Sequence, residues 1–362
     1  DMQPRHRVPM VHATHLTAIE GCVGSLAGHV MHRQAKMGAL VALDPRNGDV
    51  LALVSRPTYD PNSFAGGIEP RIWNQLTNDE WRPLRNRAIS AQYPPGSTYK
   101  AIVAAAGLAE GIVDPAARVF CPGQYRLGRR VYRCWKKGGH GYVDFDRALI
   151  GSCDVYFYQL GVALGIDRIA DYAMRLGLGR LTGIALDGER PGLIPTEEWK
   201  RSARGEAWIQ GETVSASIGQ GFNLVTPLQL AVAYSSIATG VVHTPRLLRQ
   251  TETSDGKLLR DFPPDEGRPV GIAPAVLARV RRALTAVVMD PHGTGTRARV
   301  PGVDVAGKTG TTQVVSLDLV KDMKPGEIPI QYRDHAIFAA FAPAEAPEIA
   351  VAVLVEHAGA GG

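Results

Sequence analysis

Strand-forming sequence lies near both ends of the chain, and a long helix-forming stretch separates the two groups. Residues 38–43 and 49–54 are short apolar runs on either side of an Asn-Gly turn, which is a strong hairpin signal. Three further strand-like runs, at 307–316, 335–341 and 349–356, come last. We therefore expect the first hairpin and the last three strands to join one antiparallel sheet.

The pattern predicts an α+β fold with a five-stranded antiparallel sheet. Both runs of the first hairpin are apolar throughout, so we expect helices to cover both faces of the sheet. The sheet draws on residues 37–56 and 303–357, and an all-helical subdomain, within a helical middle at 97–290, is inserted between them. This assigns residues 37–362 to one domain and leaves residues 1–36 as an N-terminal remnant without a clear pattern.

Composition excludes several classes of protein. Hydrophobic residues make up 45% and charged residues 21% of the chain, as in a globular protein. A formal net charge of +5, spread along the chain, is too weak to indicate nucleic-acid binding. No apolar run reaches the roughly 18 residues that a membrane span needs.

The first candidate catalytic motif is Tyr-Pro-Pro-Gly-Ser-Thr-Tyr-Lys at residues 93–100. The prolines and glycine predict a tight turn, and helix formers follow at once. Ser97 would therefore lie at a helix N-terminus, where free N–H groups favour a developing anion. Lys100 lies on the same helical face and is a candidate base for a serine nucleophile. Taken alone, the motif is equally consistent with a helix cap followed by a surface lysine.

Two further motifs follow in order along the chain. Ser152 and Asp154 flank a cysteine between two apolar segments, and a second hydroxyl beside a lysine base can relay a proton to a leaving amine. Residues 308–311 lie on a predicted strand, where a glycine allows a ligand or a facing backbone to approach closely. This third motif contains Lys308, Thr309, Gly310 and Thr311. The Thr311 N–H is a candidate partner for the Ser97 N–H in an oxyanion hole.

Ser-x-x-Lys, Ser-x-Asp and Lys-Thr-Gly, in this order, resemble the signature of penicillin-binding proteins and serine β-lactamases. The chain is similar from about residue 38 to its end to the transpeptidase domain of class B penicillin-binding proteins, especially the elongation-type penicillin-binding proteins 2. The resemblance implies that Ser97 is acylated, that Lys100 activates it and that Ser152 relays the proton. Asp154 stands where most relatives have Asn. Lys308, Thr309 and Thr311 would bind the donor's terminal carboxylate.

The function implied by this resemblance is peptidoglycan D,D-transpeptidation at the periplasmic face of the bacterial inner membrane. Its expected partners are D-Ala-D-Ala stem peptides, amine acceptors, β-lactams and, in the full-length protein, a glycosyltransferase of the elongation machinery. No nucleic acid and no catalytic cofactor is expected, and the membrane anchor and pedestal of relatives are expected to be absent from this chain. A D,D-carboxypeptidase, a serine β-lactamase and a non-enzymatic β-lactam sensor share the same motifs and stay open.

Three cysteines and one histidine fall close together in the middle of the chain, at Cys121, Cys134, His140 and Cys153. Three thiolates and one imidazole suit a closed structural zinc site. A disulfide between Cys121 and Cys134 is the alternative, natural in an oxidising periplasm. Some elongation-type relatives carry zinc at this place, and the resemblance therefore favours the metal.

Overall fold

A computed structural model describes residues 37–315, 319, 323, 327–359 and 361 of the 362-residue chain. The predicted N-terminal remnant, residues 1–36, lies outside this range, as does residue 316 at the end of one predicted strand. Among the residues that the structure describes, none of the helices is long and apolar enough to cross a membrane.

The described strands and helices alternate along the chain in the following order. The strands are β1 (Gly38–Leu43), β2 (Val50–Arg56), β3 (Val119–Cys121), β4 (Gln124–Leu127), β5 (Arg130–Arg133), β6 (Gly141–Val143), β7 (Val241–Val242), β8 (Gln250–Glu252), β9 (Leu258–Asp261), β10 (Arg268–Pro269), β11 (Ala306–Thr312), β12 (His335–Ala342) and β13 (Ile349–Val355). The α-helices are α1 (Pro70–Asn78), α2 (Arg87–Ser90), α3 (Lys100–Ala109), α4 (Phe145–Ile150), α5 (Asp154–Leu164), α6 (Ile166–Arg175), α7 (Glu197–Arg204), α8 (Gln210–Ala216), α9 (Pro227–Thr239) and α10 (Pro274–Met289).

The five-stranded antiparallel sheet is confirmed, and it joins both ends of the domain. Its order is β11-β12-β13-β1-β2, so the last strand, β13, pairs directly with the first, β1. The β1–β2 hairpin forms at the predicted Asn-Gly turn. The expectation that both of its strands are buried on two faces holds for β1 only. Because β2 is an edge strand, its residues stay partly exposed.

Side chains alternate between the two faces of the sheet, as the pleat requires. On one face, residues such as Val41 and Phe341 pack into a large core with the helical part of the chain. On the other face, residues such as Leu40 and Val353 form a second core with Val288, in the last turn of α10. β11, an edge strand of the sheet, is left with a free side toward the helical part.

The middle of the chain needs one correction, because it is not all-helical. Four two-stranded ribbons, formed by β3 to β10, lie among its helices. The ribbon of β4 and β5 has its turn at Gly128, and its strands of four residues are too short to bury one face of a helix. Conversely, two stretches predicted as loops, 57–92 and 177–213, contain α1, α2, α7 and α8. The longer helices α9 and α10 match their predicted bounds, and each begins with a proline.

Candidate active site

Ser97 lies in a single 3-10 turn, Gly96–Tyr99, that runs directly into α3. The backbone N–H of Lys100 donates to the Ser97 carbonyl, so the two side chains are one turn apart. The Thr98 hydroxyl donates to the Pro95 carbonyl at 2.6 Å, and Tyr234 donates to the Thr98 carbonyl at 2.9 Å. Within the described residues the Ser97 hydroxyl has no hydrogen-bond partner, and it is therefore free to react.

Lys100 is completely buried, and all three of its ammonium donors have acceptors. Its Nζ lies 2.6 Å from Asp154 Oδ1, 3.1 Å from Ser152 Oγ and 2.9 Å from the Ser152 carbonyl oxygen. The second motif therefore surrounds the lysine of the first, as expected for a shared proton path. This arrangement holds the charged form of Lys100; to accept a proton from Ser97, the amine must first be neutral.

Ser152 is held in a strained backbone conformation. Its φ is +52°, in the left-handed region that residues with a side chain seldom adopt. The turn is fixed by hydrogen bonds from Ser152 N–H to the Leu149 carbonyl and from Cys153 N–H to the Ala148 carbonyl. Such strain costs about 1–3 kcal/mol and is found chiefly at functional sites. Here it turns both the hydroxyl and the carbonyl of Ser152 toward Lys100.

Asp154 receives a second donor, which the sequence did not reveal. Its Oδ2 accepts the backbone N–H of Trp135 at 2.8 Å, while its Oδ1 accepts Lys100. The Trp135 indole N–H in turn donates to the carbonyls of Gly151 and Ser152. The two oxygens of one carboxylate thus connect the catalytic lysine to the segment that follows Cys134. No sequence motif identifies Trp135, since this contact depends on the fold.

The third motif lies on the edge strand β11, as predicted. Lys308 is completely buried, and its Nζ donates to the Thr309 carbonyl at 3.0 Å. Burial lowers the pKa of Lys308 well below its ordinary value, and the charge of Lys100 lowers it further, while Asp154 partly opposes the shift. The two lysines are therefore close enough to interact electrostatically.

Both threonine hydroxyls of β11 have neighbours outside the three motifs. The Thr309 hydroxyl lies 2.9 Å from that of Thr294, whose N–H donates to the Ile150 carbonyl just before the second motif. The Thr311 hydroxyl accepts the N–H of Gly361 at 3.2 Å. Sequence reasoning missed Thr294, which connects the edge strand to the end of α4.

Glycines bring β11 against the nucleophile turn. A Cβ on Gly310 would lie 3.0 Å from Thr98 Cγ2 and 3.1 Å from the Pro95 carbonyl oxygen. A Cβ on Gly96 would meet the Thr311 backbone, with the oxygen at 2.5 Å and the nitrogen at 3.2 Å. The backbone of Thr311 therefore faces the turn that carries Ser97, where an oxyanion hole requires it.

The cysteine and histidine residues converge beside this site. One ligand atom from each of Cys121, Cys134, His140 and Cys153 lies within 4.8 Å of all the others. His140 Nδ1 faces the sulfurs of Cys121 and Cys134 at 3.7 and 3.5 Å, and its Nε2 lies 3.0 Å from the Gly151 carbonyl oxygen. The three cysteines are free thiols, so the alternative of a Cys121–Cys134 disulfide is wrong for this structure.

Comparison with known proteins agrees with this geometry. The family model for the penicillin-binding protein transpeptidase domain matches residues 38–362. The chain belongs to this family. Peptidoglycan D,D-transpeptidase MrdA of Acinetobacter baumannii is 41% identical over 330 residues, and the alignment covers 90% of this chain and 49% of the relative. MrdA of Escherichia coli K12 is 40% identical over 329 residues, with coverage of 89% and 52%.

Solved structures show the same likeness. PBP2 of Pseudomonas aeruginosa, in complex with WCK 5153, superposes with a TM-score of 0.79 at 40% identity and covers 94% of this chain and 70% of its own. PBP2 of Helicobacter pylori, in complex with MreC, gives a TM-score of 0.78 at 31% identity, with coverage of 93% and 58%. The chain spans about half the length of the curated relatives that it matches.

Proposed function

We propose that this chain is the catalytic domain of a peptidoglycan D,D-transpeptidase that works through a Ser97 acyl-enzyme. The observation that carries the proposal is the convergence of three sequence motifs. Ser152 and Asp154 bind the amine of Lys100, one turn after Ser97, and β11 lies against the same turn. The family match and the relatives named as D,D-transpeptidases support it.

In the acylation step, the Ser97 oxygen attacks the carbonyl carbon of the penultimate D-alanine. A neutral Lys100 takes the hydroxyl proton and passes it to Ser152, whose Oγ is 3.1 Å from Nζ. As the C–N bond to the terminal D-alanine breaks, Ser152 gives this proton to the leaving nitrogen. The products are an ester at Ser97 and free D-alanine, and no net proton is gained or lost.

β11 would hold the donor peptide during this step. Lys308 and the hydroxyls of Thr309 and Thr311 are the candidate partners of its terminal carboxylate. The N–H groups of Ser97 and Thr311 would stabilise the oxyanion of the tetrahedral intermediate, and loss of one such donor costs about 10²–10³ in rate. In the second step an acceptor amine attacks the ester, an amide forms, and Ser97 regains its proton.

The second candidate function is hydrolysis, as in a carboxypeptidase or a serine β-lactamase, since the same residues would serve a water nucleophile. A thioester or peptide donor, turned over with and without a D-amino-acid acceptor, separates the two functions. A transpeptidase forms the amide product and turns over faster when the amine is added. Release of the hydrolysed donor alone, at a rate independent of amine, would favour hydrolysis. A β-lactam label that persists at Ser97 for hours would exclude a β-lactamase.

We also propose that the cluster of Cys121, Cys134, His140 and Cys153 holds a structural zinc ion. Three sulfurs and one imidazole within 4.8 Å form a donor set typical of closed zinc sites. The hydrogen bond of His140 Nε2 with the Gly151 carbonyl leaves Nδ1 facing the sulfurs, which is the usual outer contact of a ligating histidine. Bound zinc would supply stability only, and it would tie β3 and the loop after β5 to the second catalytic motif.

Metal analysis and thermal melting test this site without relying on activity. We expect about one zinc per chain in the purified protein, as in other four-ligand sites. Chelation should lower the melting temperature, and added zinc should restore it. His140→Ala should lose the metal, while the control His292→Ala, at an exposed position, should keep it. Metal-free protein whose melting temperature is insensitive to chelator and to zinc would mean that the cluster is a set of packed thiols.

The remaining assignments concern the longer protein to which this domain would belong. We place it on the periplasmic face of the inner membrane, because its proposed substrates are stem peptides of the cell wall. Partnership with a glycosyltransferase stays a prediction from the family resemblance. The complex of a Helicobacter pylori relative with MreC supports assembly with other proteins in general terms.

A further inference from the structure

Gln220 makes a contact with β11 that the proposed mechanism does not use. It lies in the loop between α8 and α9, and its side-chain Nε2 donates to the Thr311 carbonyl at 3.0 Å. In an extended strand, the N–H and C=O groups of one residue point to the same side. The Thr311 carbonyl held by Gln220 and the Thr311 N–H proposed for the oxyanion hole therefore face the same cleft.

The residue before Gln220 holds the opposite wall of this cleft. The Gly219 carbonyl accepts the N–H of Gly96 at 2.9 Å, directly before Ser97. Contact there is so close that a Cβ on Gly219 would come within 2.2 Å of the Gly96 carbonyl oxygen. Two consecutive residues thus contact the two backbone segments whose N–H groups must point at one oxyanion.

Gln220 is itself anchored from behind. Its N–H donates to the Ser215 carbonyl at 3.1 Å, and its own carbonyl accepts the Asn223 side chain at 3.1 Å. Asn223 is completely buried and also donates to the Ala216 carbonyl at 3.0 Å. The half-buried Gln220 side chain therefore extends to Thr311 from a fixed backbone, which favours a defined orientation of the carbonyl that it binds.

We propose that Gln220 is a positioning residue for the oxyanion hole. Its amide fixes the Thr311 backbone relative to Ser97, so that both N–H groups converge before the substrate binds. An oxyanion hole is effective because its donors are already oriented when charge develops. The inference rests on the proposed acyl-transfer function and adds a residue outside the three catalytic motifs.

Exchange of the donor for a titratable group tests this role. In Gln220→Glu a protonated carboxyl can still donate to the Thr311 carbonyl, whereas the carboxylate repels it. We expect the acylation rate constant with a β-lactam, divided by that of wild type at each pH, to fall about 10–100-fold at pH 8; complete loss of a donor costs about 10²–10³. As the pH is lowered toward 5, the ratio should rise toward unity. Gln220→Leu should lower the ratio equally at every pH.

The control is Gln159→Glu, at an exposed position on α5, for which the ratio should stay near unity. Non-covalent affinity for the β-lactam should change little in Gln220→Leu, since only the acylation step depends on the oxyanion hole. A pH-independent ratio for Gln220→Glu would overturn the proposal. So would faster acylation or tighter binding by Gln220→Leu, which would mean that Gln220 blocks the Thr311 carbonyl. Failure of the wild-type protein to acylate would instead contradict the proposed function itself.

Discussion

At the residue scale, Asp154 explains why this chain carries a carboxylate where most relatives carry an amide. One oxygen accepts the buried Lys100 at 2.6 Å, and the other accepts the Trp135 N–H at 2.8 Å. An asparagine has only one acceptor oxygen, so its NH₂ would face one of these two donors. Asp is therefore the residue that satisfies both neighbours.

We predict that Asp154→Asn lowers the free energy of unfolding by about 1–3 kcal/mol, the usual cost of leaving a buried donor unsatisfied. Urea denaturation at pH 7 measures it. The matched control is Asp146→Asn, whose pair with Arg279 is partly exposed and should matter little. Equal stability of Asp154→Asn and wild type would contradict the assigned hydrogen bonds.

Lys308 gives a second prediction at this scale, because its folded-state pKa is well below its ordinary value. Between these two pKa values the unfolded chain binds more protons than the folded one, so the lysine makes stability rise with pH. Lys308→Met should therefore melt at a higher temperature than wild type near pH 7, with a difference that shrinks toward pH 10. The same variant should acylate more slowly. A lower melting temperature at pH 7 would contradict this account.

At the scale of elements, the site depends on how closely β11 packs on the turn before α3. The strand has an unpaired edge, and this edge meets the nucleophile turn only because Gly310 has no side chain. The alternating pattern of the strand is visible in the sequence, whereas its distance from Ser97 is not.

A methyl group at position 310 should therefore separate the two elements. Gly310→Ala places a Cβ 3.0–3.1 Å from Thr98 and Pro95, and overpacking of this kind costs about 1–3 kcal/mol. We expect a lower melting temperature and slower acylation. Gly138→Ala, with no atom within 4 Å of the added Cβ, is the control and should leave both unchanged. Unaltered acylation in Gly310→Ala would show that this packing does not set the site.

Much of the element pattern was predictable, because it follows from local periodicity and from turn residues. The hairpin at Asn47-Gly48 and the starts of α9 and α10 at prolines are examples. The three motifs identified the site residues that lie near Lys100 and β11. The contacts of Gln220 with Thr311, 91 residues apart, and of Trp135 with Asp154 could not be predicted. They depend on distances between elements, which no local pattern encodes.

At the scale of the whole molecule, the two ends of the domain are joined beneath the nucleophile turn. Glu356, one residue beyond β13, accepts Tyr93 at 2.6 Å and Arg87 at 2.8 Å. Tyr93 lies at the start of the turn that carries Ser97. Burial alone would raise the pKa of Glu356, but the Tyr93 hydrogen bond and the Arg87 charge outweigh it and lower this pKa.

This carboxylate should make stability depend on pH. Because its folded-state pKa is lowered, its contribution is present above about pH 4.3, the ordinary value, and is lost as the pH falls through the folded-state value. Glu356→Gln should melt at a lower temperature than wild type at pH 7, and the difference should narrow below about pH 4. The exposed Glu345→Gln serves as control. A difference that stays constant from pH 7 to pH 3 would contradict the assigned shift.

The central claim is that Ser97 is the acylated nucleophile, and intact-protein mass spectrometry after incubation with benzylpenicillin tests it most directly. The wild-type chain should gain one covalent penicilloyl group, located by peptide mapping on residues 93–100. Ser97→Ala should gain none and should melt at nearly the same temperature, because the Ser97 hydroxyl has no partner within the described residues. An adduct on Ser97→Ala, or on any residue other than Ser97 in the wild type, would contradict the account.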